Sequence, residues 1–513
     1  MMYLILLKAW INLCNRIKQE NILFYHYFLF KFIKMESLFG NTDNYRVLIR
    51  DKKGAYLLHP FISKTEKKFT IDQCSSIVSS KKYFAVINLG KLSLYLTKDC
   101  SLFKQFDDLE QVVAVHFSLN DKYLTVILKP AIEKNLKIFN LSNNIELINE
   151  FRSQTHPNNC WPQITFSKDE KNIYFYNKTT LEIYDDKKSL INKFENILGY
   201  EDITFDNKHY FIASTFIIKN NGKKEYSFVL YDYQDLSKPS KVLNTSYTDR
   251  VKIKVSLDQK YILFNAINDN PSNKSYYGQS NIYFFEVTTS RFIKINLPEG
   301  PIHDFSFTPD GEHFIVCAGH LPSATKLYKK NGLYEKDIAK GNFNTIKISP
   351  DNRFVALCGF GALKGDIEFY SLKDGELIGK NNFFCCVNFE WSQDSKYLLG
   401  SVLSTRVKVD NEYRIMKYNG EEVVVDKNVG EIYDCLFLYE EDENKIKYDE
   451  FNIEKNSKSL ENKKKENTGG IKLTSTLGKI EFTNKGKPVD VDDGEIIGLG
   501  KKKKKKKQNK DNK

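Results

Sequence analysis

Between Gly300 and Tyr370 one hydrophobic pattern occurs twice. The first copy runs from Pro301 through Ile302, Phe305 and Phe307 to a Pro309-Asp310-Gly311 turn, and resumes at Phe314-Ile315-Val316. The second runs from Asn344 through Ile346 and Ile348 to Pro350-Asp351-Asn352, and resumes at Phe354-Val355-Ala356. Each copy is an alternating strand, a turn and a mostly apolar strand. Proline presets φ, and Gly or Asn tolerates positive φ, so the chain reverses there. A single hairpin cannot bury its apolar face, so the pattern asks for neighbours of its own kind. Aligned on the residue after the turn, they fall at Tyr83, Tyr123, Ile173, Tyr210, Tyr261, Phe314, Phe354 and Tyr397. The intervals are 40, 50, 37, 51, 53, 40 and 43 residues. Periods near 40 to 50 with several short strands each predict a WD-type β-propeller, one blade per repeat. Eight blades follow from the repeats. A ninth would pair a strand near Val47 with Tyr433–Leu438 and close the ring.

The propeller is expected over residues 39–445, which divides the chain into three parts. Residues 1–38 form an N-terminal extension. Its apolar runs, Met2–Leu7 and Ile22–Phe30, fall short of the ~18 residues that span a bilayer. The extension reads as lying upstream of a start at Met35. Asn268–Gln279 is a polar insertion expected to be a surface loop. Beyond Glu440, residues 446–513 hold too few apolar side chains to offset ordering entropy and are expected to be disordered. That tail contains Lys501, Lys502, Lys503, Lys504, Lys505, Lys506 and Lys507 in an unbroken run.

Charge sharpens this division. Of the net +12, residues 451–513 carry +9 (18 Lys against 9 Asp plus Glu) and residues 1–34 carry +4, leaving −1 for 35–450. A basic tail on a neutral body points to a polyanionic partner reached by the tail. The seven lysines are therefore the candidate RNA-binding residues. The nine Cys contain no C-x-x-C pair, so zinc ribbons and redox motifs are excluded; they read as reduced core thiols of a cytoplasmic protein. Vicinal Cys385-Cys386 reads as packing. No phosphate-binding loop, H-E-x-x-H or G-x-S-x-G motif occurs, so no cofactor, metal or catalytic residue is expected. The eight dispersed histidines read as structural hydrogen-bonders, with His303-Asp304 as a polar pair joining blades.

Four stretches carry a resemblance: Gly300-Pro301-Ile302-His303-Asp304, Gly319–Thr325, Gly359–Gly365, and Ser404–Ile415 followed by Tyr418-Asn419-Gly420. In that order and spacing, the chain resembles the eukaryotic translation initiation factor 2A family over about residues 45–440. The resemblance implies a nine-bladed propeller followed by a basic C-terminal region. It further implies a non-enzymatic factor that binds the small ribosomal subunit, initiator methionyl-tRNA without GTP, and mRNA. A cytoplasmic monomer with no membrane partner is expected. The family usually continues into a longer charged, helical region, whereas about 70 residues remain here. Alternatives are the propeller subunit of initiation factor 3, which would need an RNA-recognition domain ahead of its propeller, and a propeller scaffold outside translation.

Overall fold

The computed structural model describes residues 45–62, 67, 69–142, 145–153, 162–206, 208–269, 279–427, 429–438 and 453–460. Among these, the strands form nine four-stranded antiparallel sheets. Each is one blade of a β-propeller. Blades 2 to 9 span residues 74–106, 112–151, 164–194, 197–245, 250–294, 302–341, 345–382 and 388–426, and each runs from its inner strand outward in chain order. Blade 1 is composite. Its three outer strands are Arg46–Asp51, Gly54–Leu58 and Phe69–Asp72, and its inner strand is Ile432–Leu438. The two ends of the propeller are thus hydrogen-bonded, from Arg46 opposite Leu438 to Asp51 opposite Ile432. The expected ninth blade is this one.

All eight aligned repeat residues lie in second strands, from Tyr83–Asn88 in blade 2 to Tyr397–Val402 in blade 9. Their apolar character has a packing cause. The second strand is covered by the neighbouring blade on each face, so Phe354–Cys358 and Tyr397–Val402 are buried at every position. The fourth strand is at the perimeter, and Leu102–Phe106 is exposed except at Phe106. The core is divided the same way. Nine apolar clusters fill the nine junctions between adjacent blades. One joins Phe354, Phe369 and Ile378 of blade 8 to Trp391, Leu398 and Met416 of blade 9. Another joins Leu399, Tyr413 and Ile415 of blade 9 to Val47, Ile49 and Tyr56 of blade 1. The closing junction is therefore packed like the others.

The turn between first and second strands has a repeated side-chain design. A buried hydroxyl ends the inner strand at Ser118, Ser256, Thr308, Ser349 and Ser392. It accepts the N–H of the fifth residue on, at 2.9–3.0 Å. In four of them the hydroxyl also donates to an aspartate two residues on, at 2.5–2.7 Å. The third residue after the hydroxyl has positive φ in four such turns: 60° at Asp121, 59° at Gln259, 63° at Ser395, and 54° at Glu170 in the equivalent turn after Ser167. These are not glycines, and the left-handed backbone costs each roughly 1 kcal/mol. The side chains show what offsets that cost. Asp121 accepts the Lys82 N–H, Glu170 that of Asn120, Gln259 that of Thr204 and Ser395 that of Asp351, at 2.6–2.9 Å. Each turn clasps the turn of the preceding blade.

Candidate interaction surface

Because strands alternate in direction, every loop between second and third strands emerges at one end of the ring, beside the loops connecting successive blades. The resemblance motifs Gly300–Asp304, Gly319–Thr325, Gly359–Gly365 and Ser404–Asn411 converge there on blades 7, 8 and 9. Their glycines are required by close backbone approach. A Cβ on Gly300 would lie 2.5 Å from His320 N, one on Gly359 2.2 Å from Asn342 O, and one on Gly365 2.4 Å from Phe383 O. Gly300 and Gly365 also hold φ of +130° and +84°. The loops are tied together. Gly319 N donates to Pro301 O at 3.0 Å, and Gly365 N to Gly359 O at 2.9 Å. Asn344 bonds the Phe360 carbonyl and N–H through its amide, at 2.9 and 3.0 Å. Arg406 of blade 9 donates to Gly361 O of blade 8 at 3.1 Å.

This rim exposes apolar side chains. Leu321, Phe384, Val387 and Val409 are 46%, 64%, 47% and 65% accessible, and exposed Lys364 and Lys408 stand among them. Asp366 and Asp410 are exposed there too, so the patch mixes apolar side chains with charges of both signs, a composition suited to a partner that buries apolar and polar groups together. Sequence reading placed the motifs but missed the exposed Phe384 and Val409, whose position depends on how the loops fold.

His303 lies within the inner strand Ile302–Phe307, its Nε2 2.9 Å from Gly319 O. Asp304 accepts the N–H of Ile346 in blade 8 at 2.9 Å. Of the expected blade-joining pair, Asp304 links blades 7 and 8, whereas His303 bonds within its own blade. Other charges near the channel also link strands. Glu390 of blade 9 accepts the Phe437 N–H of blade 1 at 2.8 Å, while Asp434 pairs with Arg50 at 2.5 Å within the composite blade 1 and ties its two chain ends together. Burial raises the Asp434 carboxyl, with Arg50 pulling the other way. Lys254 donates to Phe305 O at 2.6 Å; burial pushes its ammonium down, and Asp304 opposes this. Burial likewise pushes the Cys386 thiol up to about 12, and Cys386 donates to Asn388 O. A thiol so raised is a packing group.

Residues 453–460 fall within the stretch expected to be disordered, yet they seat against blades 8 and 9. Asn456 N donates to Ile378 O at 2.8 Å, and Glu454 N to the Tyr418 hydroxyl at 3.0 Å. Lys455 pairs with Glu376 at 2.5 Å. Lys501–Lys507, residues 1–44 and most of the insertion 268–279 lie outside the described residues. Among the described residues, no helix is long and apolar enough to cross a membrane, and no cluster of metal-ligating side chains occurs.

Fold and surface define a β-propeller with an exposed rim of apolar and charged loops on blades 7 to 9. The family model "Eukaryotic translation initiation factor eIF2A" matches residues 245–435, which covers blades 6 to 9 and this rim. The chain is 29% identical over 310 residues to "Eukaryotic translation initiation factor 2A" of Dictyostelium discoideum, covering 59% of this chain and 50% of that protein. It is 26% identical over 335 residues to the protein of the same name from Schizosaccharomyces pombe, covering 63% and 57%. A solved structure, "Crystal structure of the eukaryotic initiation factor", superposes with a TM-score of 0.65 at 21% identity, over 77% of this chain and 99% of that one. The chain is similar to the eukaryotic translation initiation factor 2A family, most clearly over blades 6 to 9. It spans about half the length of these curated relatives.

Proposed function

We propose that this protein is a non-enzymatic translation initiation factor that binds the small ribosomal subunit and promotes delivery of initiator methionyl-tRNA without GTP. The observation that carries this reading is the coincidence of the family match with the loop rim of blades 7 to 9. Exposed Phe384, Val387 and Val409 beside Lys364 and Lys408 supply a surface for a ribonucleoprotein, which offers both phosphate and apolar contacts. Lys501–Lys507 adds affinity for RNA, mRNA included, without reading sequence, since lysine carries no base information. If about five of the seven neutralise phosphates, binding falls with log salt at a slope near −3.5. The protein acts as a cytoplasmic monomer.

The test is co-sedimentation of purified protein with small ribosomal subunits, and retention of initiator tRNA with and without GTP. Wild-type protein should pellet with the subunit and retain tRNA equally in both conditions. A Lys364→Glu/Lys408→Glu/Val409→Asp variant should bind the subunit at least fivefold more weakly. Failure of the wild-type chain to sediment, or tRNA retention that requires GTP, would overturn the reading.

A further inference from the structure

Blade 5 differs from the others in one respect. Its second and third strands, Lys208–Ile218 and Lys224–Asp232, are 11 and 9 residues long, against 5 and 6 in blade 8. Pairing with the inner strand ends at Thr215, opposite Ile197. Pairing with the outer strand ends at Tyr226, opposite Thr245. Phe216–Ile218 and Lys224–Glu225 therefore continue as a two-stranded ribbon past both neighbours, about 10 Å at the usual rise per residue. The ribbon leaves from the same end of the ring as the rim of blades 7 to 9.

An isolated ribbon is marginal in water, and this one is held by rings. Phe216 and Tyr226 are cross-strand partners with centroids 5.8 Å apart, and Tyr226 meets Tyr247 at 5.0 Å. Lys224 Nζ sits 4.3 Å from the Phe216 centroid. Other apolar side chains of the arm stay in water. Ile217, Ile218 and Tyr247 are 57%, 62% and 45% accessible. The tip carries exposed Lys219, Lys223 and Lys224. The acidic residue among them, Glu225, is engaged by Lys219 at 2.5 Å. Lysines protect an exposed strand edge from aggregation, but that role would not leave a tyrosine ring and two isoleucines in water beside them.

We propose that the blade 5 hairpin is an arm for single-stranded RNA. The tip lysines contact phosphates, and Tyr247, backed by Tyr226, offers a face on which a base stacks. The complementarity is specific in kind: cations spaced along a ribbon suit a polyanionic backbone, and an exposed ring beside them suits unstacked bases. Single strands fit better than duplex, whose bases are not free to stack on a side chain. The inference rests on the hairpin and is independent of the reading of blades 7 to 9.

The experiment measures binding of full-length protein to a labelled unstructured RNA across a salt series. Two arm variants are used, Lys219→Gln/Lys223→Gln/Lys224→Gln and Tyr247→Ala. A third variant replaces Lys501–Lys507 with glutamine, so that the contribution of the tail is read separately. Because Lys219 is paired with Glu225, neutralising the tip removes about two phosphate contacts and should reduce the salt slope by about 1.4, in the presence or absence of the tail lysines. Tyr247→Ala should weaken binding about five- to a hundredfold with the slope unchanged. The lysine variant loses the Lys224–Phe216 and Lys219–Glu225 contacts but no buried group, so it should keep a single cooperative thermal transition within a few degrees of wild type, which serves as the folding check. Unchanged affinity and slope in both arm variants would overturn the proposal. So would unchanged RNA affinity together with weaker co-sedimentation of the arm variants with small ribosomal subunits, since the arm would then act on the folded subunit surface and not on a free single strand.

Discussion

In blade 8 the loop between second and third strands folds back on itself, Gly365 N to Gly359 O, and two neighbouring loops press against it. In blade 5 the equivalent loop stands on a ribbon that runs past both neighbouring strands of its sheet, and a Cβ at its Gly222 would meet nothing within 4 Å. Both loops need glycine at positive φ, +84° at Gly365 and +76° at Gly222. The reasons differ. In one, glycine makes room for a neighbouring backbone; in the other, it only permits a tight turn. The blade 8 loop is thus part of the fold, while the blade 5 loop can change without disturbing the ring.

Glycine substitutions test that contrast most strongly. Gly365→Val combines forbidden φ with a 2.4 Å clash against the Phe383 carbonyl and should destabilise by about 3 kcal/mol or more. Gly222→Ala should cost about 1 kcal/mol and be confined to the hairpin. Chemical denaturation of both variants measures the difference, and equal losses would erase the distinction. The clasps between turns come next. Glu170→Ala leaves the Asn120 N–H without its 2.8 Å acceptor and should cost about 1–3 kcal/mol. Glu170→Gln keeps an acceptor and should recover most of that, read from the same denaturation midpoints. Hydrogen exchange offers a gentler probe. Amides of Phe216–Tyr226 should exchange faster than those of the buried Phe354–Cys358 strand, because local opening of the ribbon exposes little apolar surface.

The smallest effect is one of pH. Burial lowers the His116 pKa on the inner strand of blade 3. The unfolded chain therefore takes up the proton more readily, so this contribution is complete above the ordinary histidine value of 6.5 and is lost as pH falls below it. A His116→Gln variant should show a shallower loss of thermal midpoint between pH 7 and pH 5. An identical pH profile would show that His116 is not a source of acid sensitivity.

The ring was legible because each blade buries its second strand on both faces, which leaves an apolar run after every turn. Tyr83, Phe354 and Tyr397 mark it without ambiguity. The composite blade was also readable, since strands near Val47 and Cys435 had no partners of their own. The clasps were not. Glu170 and Gln259 are unusual residues for a left-handed turn position, and their role appears only when the preceding blade lies beside them. The blade 5 arm left a trace, the 51-residue interval from Tyr210 to Tyr261, but a long interval does not distinguish a ribbon from an irregular loop. Within the candidate surface, motif spacing located the glycines; the exposure of Phe384 and Val409 is a property of assembled loops.

The composite blade also has a consequence for the order of events during synthesis. Among the strands of the ring, Arg46–Asp51 is the first to leave the ribosome and its inner partner Ile432–Leu438 is the last. Nearly 400 residues separate them, so at roughly 5–20 residues per second the first strand waits about 20 to 80 seconds for its partner. During that time the row of donors and acceptors from Arg46 to Asp51 is an open sheet edge, able to pair with another chain. A nascent polypeptide can therefore hold eight blades in sequence and still have an unfinished ring, which makes translation speed and chaperone cover over the final blade determinants of yield.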